Sequence, residues 1–394
     1  MTNGFGARCP VCDSNEVSRC IQIADVPVYC NVLLSSREQA INTARGDIEL
    51  TYCKSCGHVF NSAFDVQKIN YTQEYENSLH FSPRFQEYAS SLAEQLVDRY
   101  QLYRKTIIEI ACGKGEFLAS ICALGNNKGI GFDPSYVPGH VNDDTLENVE
   151  FIQDYYSEKY SAYQANLICC RQALEHIETP IKFLNTVRRA IGNQKDCAVF
   201  FEVPNVMFTL KDMGIWDLIY EHCSYFCADS LKKAFQISGY EVSNVQTTFG
   251  HQFLCADAFP NDINELNIDS SNGVEGVEEY AEKFEQSYKE KTEIWKSRLE
   301  DFKRRGLKVV VWGAGSKGVT FLNALNIREE VEYIVDLNPH KHGKFVPGTG
   351  HEVVAPSYLK TYRPEAIIVM NPLYTEEIGR IVGEMDIKAA IISE

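Results

Sequence analysis

One short stretch, Trp216-Asp217-Leu218-Ile219-Tyr220-Glu221-His222-Cys223-Ser224-Tyr225-Phe226, crowds a glutamate, a histidine and two tyrosines together among apolar residues. An imidazole titrates near neutrality, so His222 is suited to taking a proton, and a neighbouring carboxylate such as Glu221 can hold its tautomer. Tyrosine hydroxyls, Tyr225 among them, could donate to a developing oxyanion. The plainer reading of the same residues is a polar cap on a buried helix. A second reactive group is formed by two C-x-x-C pairs, Cys9-Pro10-Val11-Cys12 and Cys53-Lys54-Ser55-Cys56. Two residues between ligands let both thiolates of a tight turn face one ion. Cys9, Cys12, Cys53 and Cys56 would close a tetrahedral zinc shell with no open position, a structural rather than catalytic site. His58 follows as a bystander. Other cysteines, such as Cys169, Cys170 and Cys197, stand in apolar runs and read as small buried hydrophobes.

A third constellation is Glu109-Ile110-Ala111-Cys112-Gly113-Lys114-Gly115, a glycine turn after the apolar strand Thr106–Ala111 and before a helical stretch from Phe117. A dinucleotide site wants G-x-G-x-x-G to seat a pyrophosphate on a helix N-terminus. Here only G-x-G is present, and an acidic residue in the strand repels a pyrophosphate but can serve an amino group. The glycines admit close backbone approach. Asp133 ends the next strand, Lys128–Phe132, and suits two ribose hydroxyls; Asp154, after Phe151, suits an adenine amino group. Further strands at Ala165–Cys170 and Ala198–Glu202 complete a doubly wound parallel sheet. Over about residues 85–250 this set resembles a class I S-adenosylmethionine-dependent methyltransferase. The resemblance implies a cofactor site at Glu109, Cys112, Gly113, Gly115, Asp133 and Asp154. Arg171 and Gln172, which follow the fourth strand, border the same pocket. His176, a few residues on, is expected to be structural. Asn205 opens the loop expected to cover the acceptor.

The ordered set of a two-knuckle zinc module, a methyltransferase domain, a Glu-His-x-Ser-Tyr-Phe segment and a second α/β domain resembles the sugar C-methyltransferases over nearly the whole chain. These act on nucleotide-activated 4-keto-deoxysugars. The resemblance implies that His222 removes the proton beside the ketone and that the enolate carbon takes the methyl group, with Glu221 as the orienting partner. Two departures point to a sister branch with another acceptor. Ile219 stands where the sugar enzymes place a tyrosine, and Gly250-His251-Gln252-Phe253 replaces a glycine-serine turn. Tyr71, Tyr75 and His80 lie in a polar-aromatic stretch where a lid could form, and Tyr75 or His80 is expected to touch substrate.

Toward the C-terminus, Gly313-Ala314-Gly315-Ser316-Lys317-Gly318 forms G-x-G-x-x-G after the strand Lys308–Trp312, and Asp336 ends the next strand. Taken alone this is a dinucleotide fingerprint, and it supports an alternative: an NAD-dependent oxidoreductase carrying a methyl-donor domain. The domain has room for only half of the usual dinucleotide fold and offers no hydride relay. The family reading gives Gly313, Gly315, Ser316 and Lys317 to the nucleotide of the activated substrate. A further alternative is O-, N- or C-methylation of a non-sugar natural-product intermediate.

The elements that position these groups divide the 394 residues into a zinc-binding module (1–70), a methyltransferase domain (71–260), a bracing helix (261–306) and a smaller Rossmann-like domain (307–394). The expected class is α/β. Val277, Ala281, Phe284, Tyr288, Trp295, Leu299 and Phe302 make the helix's apolar stripe. A net charge of −16 repels phosphate backbones and anionic membrane surfaces, so nucleic acid and membrane are unlikely partners. There is no apolar run of membrane-spanning length and no signal-like start, so a cytoplasmic monomer acting on a small molecule is expected.

Overall fold

The computed structural model describes residues 7–69, 75–76, 78–139, 148–261 and 276–393. Among the described residues sixteen strands follow in chain order: β1 (Val17–Pro27), β2 (Arg45–Cys53), β3 (Val59–Asn61), β4 (Thr106–Ile110), β5 (Lys128–Phe132), β6 (Val149–Ile152), β7 (Leu167–Arg171), β8 (Ala198–Pro204), β9 (Ser224–Tyr225), β10 (Tyr240–Thr248), β11 (Phe253–Pro260), β12 (Val309–Trp312), β13 (Tyr333–Val335), β14 (Glu352–Val354), β15 (Ala366–Val369) and β16 (Ala390–Ser393).

The central sheet has the order β10-β11-β8-β7-β4-β5-β6. Strands β4 to β8 run parallel, and β11 is antiparallel to both β8 and β10. The one reversed strand, β11, separates the class I methyltransferase sheet from the all-parallel dinucleotide fold. Near-continuous apolar runs such as Leu167-Ile168-Cys169-Cys170 are what a parallel strand covered on both faces requires, and all four residues are buried.

The C-terminal sheet, β14-β13-β12-β15-β16, is parallel throughout. It is more complete than the half-fold its length suggests, because its strands are only three or four residues long. The helix Val277–Arg304 buries Val277, Ala281, Phe284, Thr292, Trp295, Leu299 and Phe302. Its stripe enters one core with Ile48 and Tyr52 of the N-terminal module, Trp216 and Tyr220 of the histidine segment, and Val311 and Phe321 of the C-terminal domain. No helix among the described residues is long and apolar enough to cross a membrane.

The N-terminal sheet is completed from a distance. Its order is β1-β2-β3-β9, with Val59 paired to Tyr225 and Phe60 to Ser224. The strand after His222 is thus an edge strand of the cysteine module.

Candidate active site

One cavity of about 350 Å³ gathers groups from the central and C-terminal domains: Glu109 and Arg171 at the ends of central strands, His176 and His222 beside them, and Gly313, Gly315, Ser316, Lys317 and Gly318 opposite. Ligands of α/β sheets bind at the carboxyl ends of strands, and this cavity lies between two such ends.

On the central-domain wall, Gly115 has φ 88° and caps the helix Glu116–Gly125. A Cβ there would lie 2.4 Å from Phe151 Cζ, so the turn needs glycine for space as well as for backbone. Glu109 is buried, its Oε2 has no hydrogen-bond partner among the described residues, and burial pushes its pKa up to about 8. The Arg171 guanidinium stacks 4.1 Å over Phe117 and donates to Glu202 Oε1 at 3.0 Å, while its Nε is left without a partner. An orphaned carboxylate and an orphaned guanidinium nitrogen in one cavity fit the ammonium and carboxylate of a methionine moiety. Gln172 Nε2 also donates to Glu202, at 3.1 Å, as does the Tyr88 hydroxyl. From sequence Glu202 is only the end of a strand; the signal for its role is an acidic residue inside the apolar run Ala198–Pro204.

Asp133 and Asp154 do not line the cavity. Asp133 accepts Gly113 N–H at 2.8 Å, Ser135 N–H at 2.7 Å and Ser135 Oγ–H at 2.6 Å, so its carboxylate holds the glycine turn in shape. Asp154 is held by Lys159, by Tyr160 Oη at 2.6 Å and by Tyr155 N–H at 2.8 Å. Cys112 and Gly113 are on the wall.

The histidine segment is clamped on both sides. Cys223 N–H donates to Glu175 O at 2.9 Å, and Asn61 N–H donates to Cys223 O at 3.0 Å. His222 is half-buried, and its Nδ1 has no partner. Burial, then His176 and Lys317, hold its pKa well below the usual imidazole value, so the ring is neutral and able to accept a proton. The His176 ring stands edge-on to it at 4.8 Å, and His176 Nδ1 is 3.0 Å from Glu221 O. His176 therefore belongs to the cavity rather than to a purely structural layer.

Glu221 does not reach His222, which corrects the orienting role expected for its side chain. Consecutive side chains of this turn diverge: the Glu221 carboxylate accepts Cys30 N–H at 2.9 Å. Burial raises its pKa to about 7, opposed by that bond and by the Tyr75 hydroxyl. Tyr225 also faces away, its hydroxyl donating to Ile219 O at 3.1 Å, so it is not the oxyanion donor. Tyr220 Oη accepts Asp65 N–H at 2.9 Å outside the cavity.

Tyr75 and His80 both line the cavity. Asn31 Nδ2 donates to Tyr75 Oη at 3.2 Å, and the His80 ring packs 5.4 Å from Phe85 near Glu116. Tyr71 lies outside the described residues. Residues 78–82 are held at both ends: Ser78 Oγ donates to Glu116 at 2.8 Å and Ser82 Oγ to Glu377 at 2.8 Å.

On the far wall stand Gly313, Gly315, Ser316 and Lys317, the last paired with Asp217 from the histidine segment. A Cβ on Gly318 would lie 1.9 Å from Gly313 O, so helix and strand meet only through glycine. Asp336 accepts Ala314 N–H and Asn338 N–H at 2.8 Å each, with Lys341 Nζ at 3.3 Å. A dinucleotide's ribose would find that carboxylate already engaged. Asn205 is not on the wall: it caps the helix Val206–Leu210 through Met207 N–H and donates to His251 O at 3.0 Å. The two walls are tied by a reciprocal amide pair, Gln252 with Asn371, at 3.0 and 2.9 Å.

The four cysteines also converge. Their sulfurs lie within 4.8 Å of one another, with Cys9–Cys56 at 3.6 Å and Cys12–Cys53 at 3.5 Å. Zinc–sulfur bonds of ~2.3 Å in a tetrahedron put sulfurs about 3.8 Å apart, so the cluster is compatible with zinc.

Comparison with known proteins decides the class. A model described as a methyltransferase domain matches residues 83–245, and one described as a C-methyltransferase C-terminal domain matches residues 262–388. The chain is 23% identical over 394 residues to the C-methyltransferase NovU of Streptomyces niveus, covering 94% of this chain and 90% of NovU. The chain is an S-adenosylmethionine-dependent methyltransferase. Among solved structures, this methyltransferase is similar to magnesium protoporphyrin IX methyltransferase from Synechocystis PCC 6803 with bound SAH, at 14% identity and a TM-score of 0.36, over 45% of this chain and 84% of that one. It is also similar to N,N-8-amino-8-demethyl-D-riboflavin dimethyltransferase (RosA) from Streptomyces davawensis, at 14% identity and a TM-score of 0.34, over 45% of this chain and 56% of RosA, little more than half of RosA's length. The two family models and NovU support methyl transfer rather than the oxidoreductase alternative.

Proposed function

We propose that this methyltransferase methylates carbon, on a nucleotide-activated 4-keto-deoxysugar, through an enolate. The observation that carries the reading is a neutral, half-buried His222 in one cavity with the unpartnered Glu109 Oε2 and Arg171 Nε and the glycine turn of the second α/β domain. Glu109 and Arg171 would hold the methionine end of S-adenosylmethionine, near the glycine turn of Cys112 and Gly113. The C-terminal turn, with Ser316 and Lys317, would take the substrate's diphosphate at a helix N-terminus. Lys317, paired with Asp217, would then turn to the phosphate.

His222 takes the proton from the carbon beside the ketone, and the C–H bonding pair becomes the enolate. Bound S-adenosylmethionine supplies an electrophilic methyl to that carbon and keeps the S–CH₃ pair as a thioether. Tyr75 and His80, which line the same cavity, would contact the acceptor. The four cysteines would hold a structural zinc that keeps β3, and so β9 and the histidine segment, in place.

The test is incubation with ¹³C-methyl-labelled S-adenosylmethionine and a nucleotide-linked 4-keto-deoxysugar, read by NMR. The reading predicts a methyl correlated to the ring carbon next to the carbonyl. An O-methyl product, or no transfer by enzyme that binds S-adenosylhomocysteine, contradicts it.

A further inference from the structure

With Tyr225 turned away, the cavity needs another donor for the enolate oxygen. We propose that the Glu175 side chain, as a carboxylic acid, donates the hydrogen bond that stabilises this oxygen while His222 removes the adjacent proton. The inference deepens the carbon-methylation reading and rests on it.

Glu175 follows β7 in the short 3-10 turn Leu174–His176 and lines the cavity. Its side chain is 2% exposed, and Oε2 has no hydrogen-bond partner among the described residues. Donor atoms of Glu175, His176 and His222 lie within 4.8 Å of one another, and His176 Nε2 is 4.0 Å from Glu175 Oε1. An H–C–C=O fragment can bridge such a span, with the base at its hydrogen and the acid at its oxygen, each about 3 Å away. The Glu175 carbonyl holds Cys223 N–H, so acid and base are fixed to one backbone clamp.

Several groups face the carboxyl. His176 and His222 stand beside it, Cys223 lies on the histidine segment, Cys170 on β7 and Glu202 on β8, while Lys317 approaches His222 from the opposite wall. Burial raises the Glu175 pKa to about 8, a backbone hydrogen bond opposes this, and the Glu202 charge adds to it. A buried carboxyl kept neutral so that it can donate is an established device for enolates. The proton stays on Glu175: the enolate's charge gathers on the bonded oxygen, and the carbonyl re-forms once the carbon is methylated.

The experiment is the pH–rate profile of methyl transfer to the keto sugar for the wild type, Glu175→Gln and Glu175→Leu, with S-adenosylhomocysteine binding and thermal melting as controls. Wild-type rate should fall as pH rises through about 8, because the donor proton is then lost. Glu175→Gln keeps an N–H donor, so it should stay within about tenfold at neutral pH and lose this alkaline fall. Glu175→Leu should drop about 10²–10³-fold with cofactor binding unchanged. An alkaline fall that survives in Glu175→Gln, or a wild-type rate in Glu175→Leu, overturns the proposal. So does a Glu175 carboxyl that titrates in the ordinary carboxylate range by ¹³C NMR, a readout that needs no acceptor. Full activity in His222→Ala would instead strike the base assignment, which separates the two failures.

Discussion

Removing the charge at Glu109 should change how the cofactor's binding depends on pH. In the empty cavity burial raises this carboxyl to about 8, so at pH 7 roughly nine molecules in ten carry the proton. An ammonium group needs the carboxylate, so binding must expel that proton. The sign follows: the pKa is lower in the complex than in the free protein, and affinity rises with pH until about 8, by up to tenfold per unit. Calorimetry of S-adenosylhomocysteine at pH 7, in two buffers of contrasting ionisation enthalpy, should show about 0.9 proton released per molecule bound. Glu109→Gln should release none, lose the pH dependence and bind more weakly by ~1.5–3 kcal/mol, the worth of a charged hydrogen bond. Equal proton release in wild type and variant would refute the reasoning, because the proton would then come from another group.

Four further outcomes follow from the same geometry. Chelation, or Cys53→Ser, should abolish methyl transfer while S-adenosylhomocysteine still binds, since β9 hangs on the cysteine module and the Glu109 wall does not; atomic absorption should find one zinc per chain. Gln252→Ala should cost about 1–3 kcal/mol by denaturant melt and raise KM for the acceptor more than cofactor Kd, because it unties the two walls. Gly318→Ala should destabilise by at least about 1–3 kcal/mol in the same assay, since its Cβ would meet Gly313 O at 1.9 Å. Thermal stability of the cofactor-free protein should peak near pH ~6. Neutral Glu109, Glu175 and Glu221, raised to about 8, 8 and 7, lose stability as pH climbs from the ordinary carboxylate range through those values. Neutral His58, His176 and His351, lowered to about 3, 4 and 4, and His222, held well below the usual imidazole value, lose stability as pH falls below the ordinary imidazole range, and together they outweigh the three carboxyls there. A flat profile across that range would contradict both assignments.

Local chemistry was the legible part of this sequence. The glycine turn after Thr106–Ile110, the two C-x-x-C pairs and the G-x-G-x-x-G turn are short motifs whose geometry is set within a few residues. The class I sheet could be read from apolar strands in order. Side-chain direction in the histidine segment could not. Whether Glu221 or Glu175 faces His222 depends on Cys30 and Cys223, which lie far apart in the chain, and no local pattern encodes that choice. The pairing of β3 with β9 joins residues more than 160 positions apart and was equally invisible. Asp154 and Asn205 had the right chemistry in the right loops, but each is drawn to a nearer partner. The C-terminal domain reached five strands where length alone suggested half a fold, because short strands need few residues.

The central claim is that this cavity makes a carbon nucleophilic by removing a proton from it. Solvent deuterium exchange tests it without methyl transfer: a nucleotide-linked 4-keto-deoxysugar is incubated in D₂O with enzyme and S-adenosylhomocysteine, then followed by proton NMR. The account predicts enzyme-dependent loss of the proton beside the ketone, abolished in His222→Ala. Exchange no faster than the enzyme-free control, with the homocysteine product shown to be bound, would contradict it.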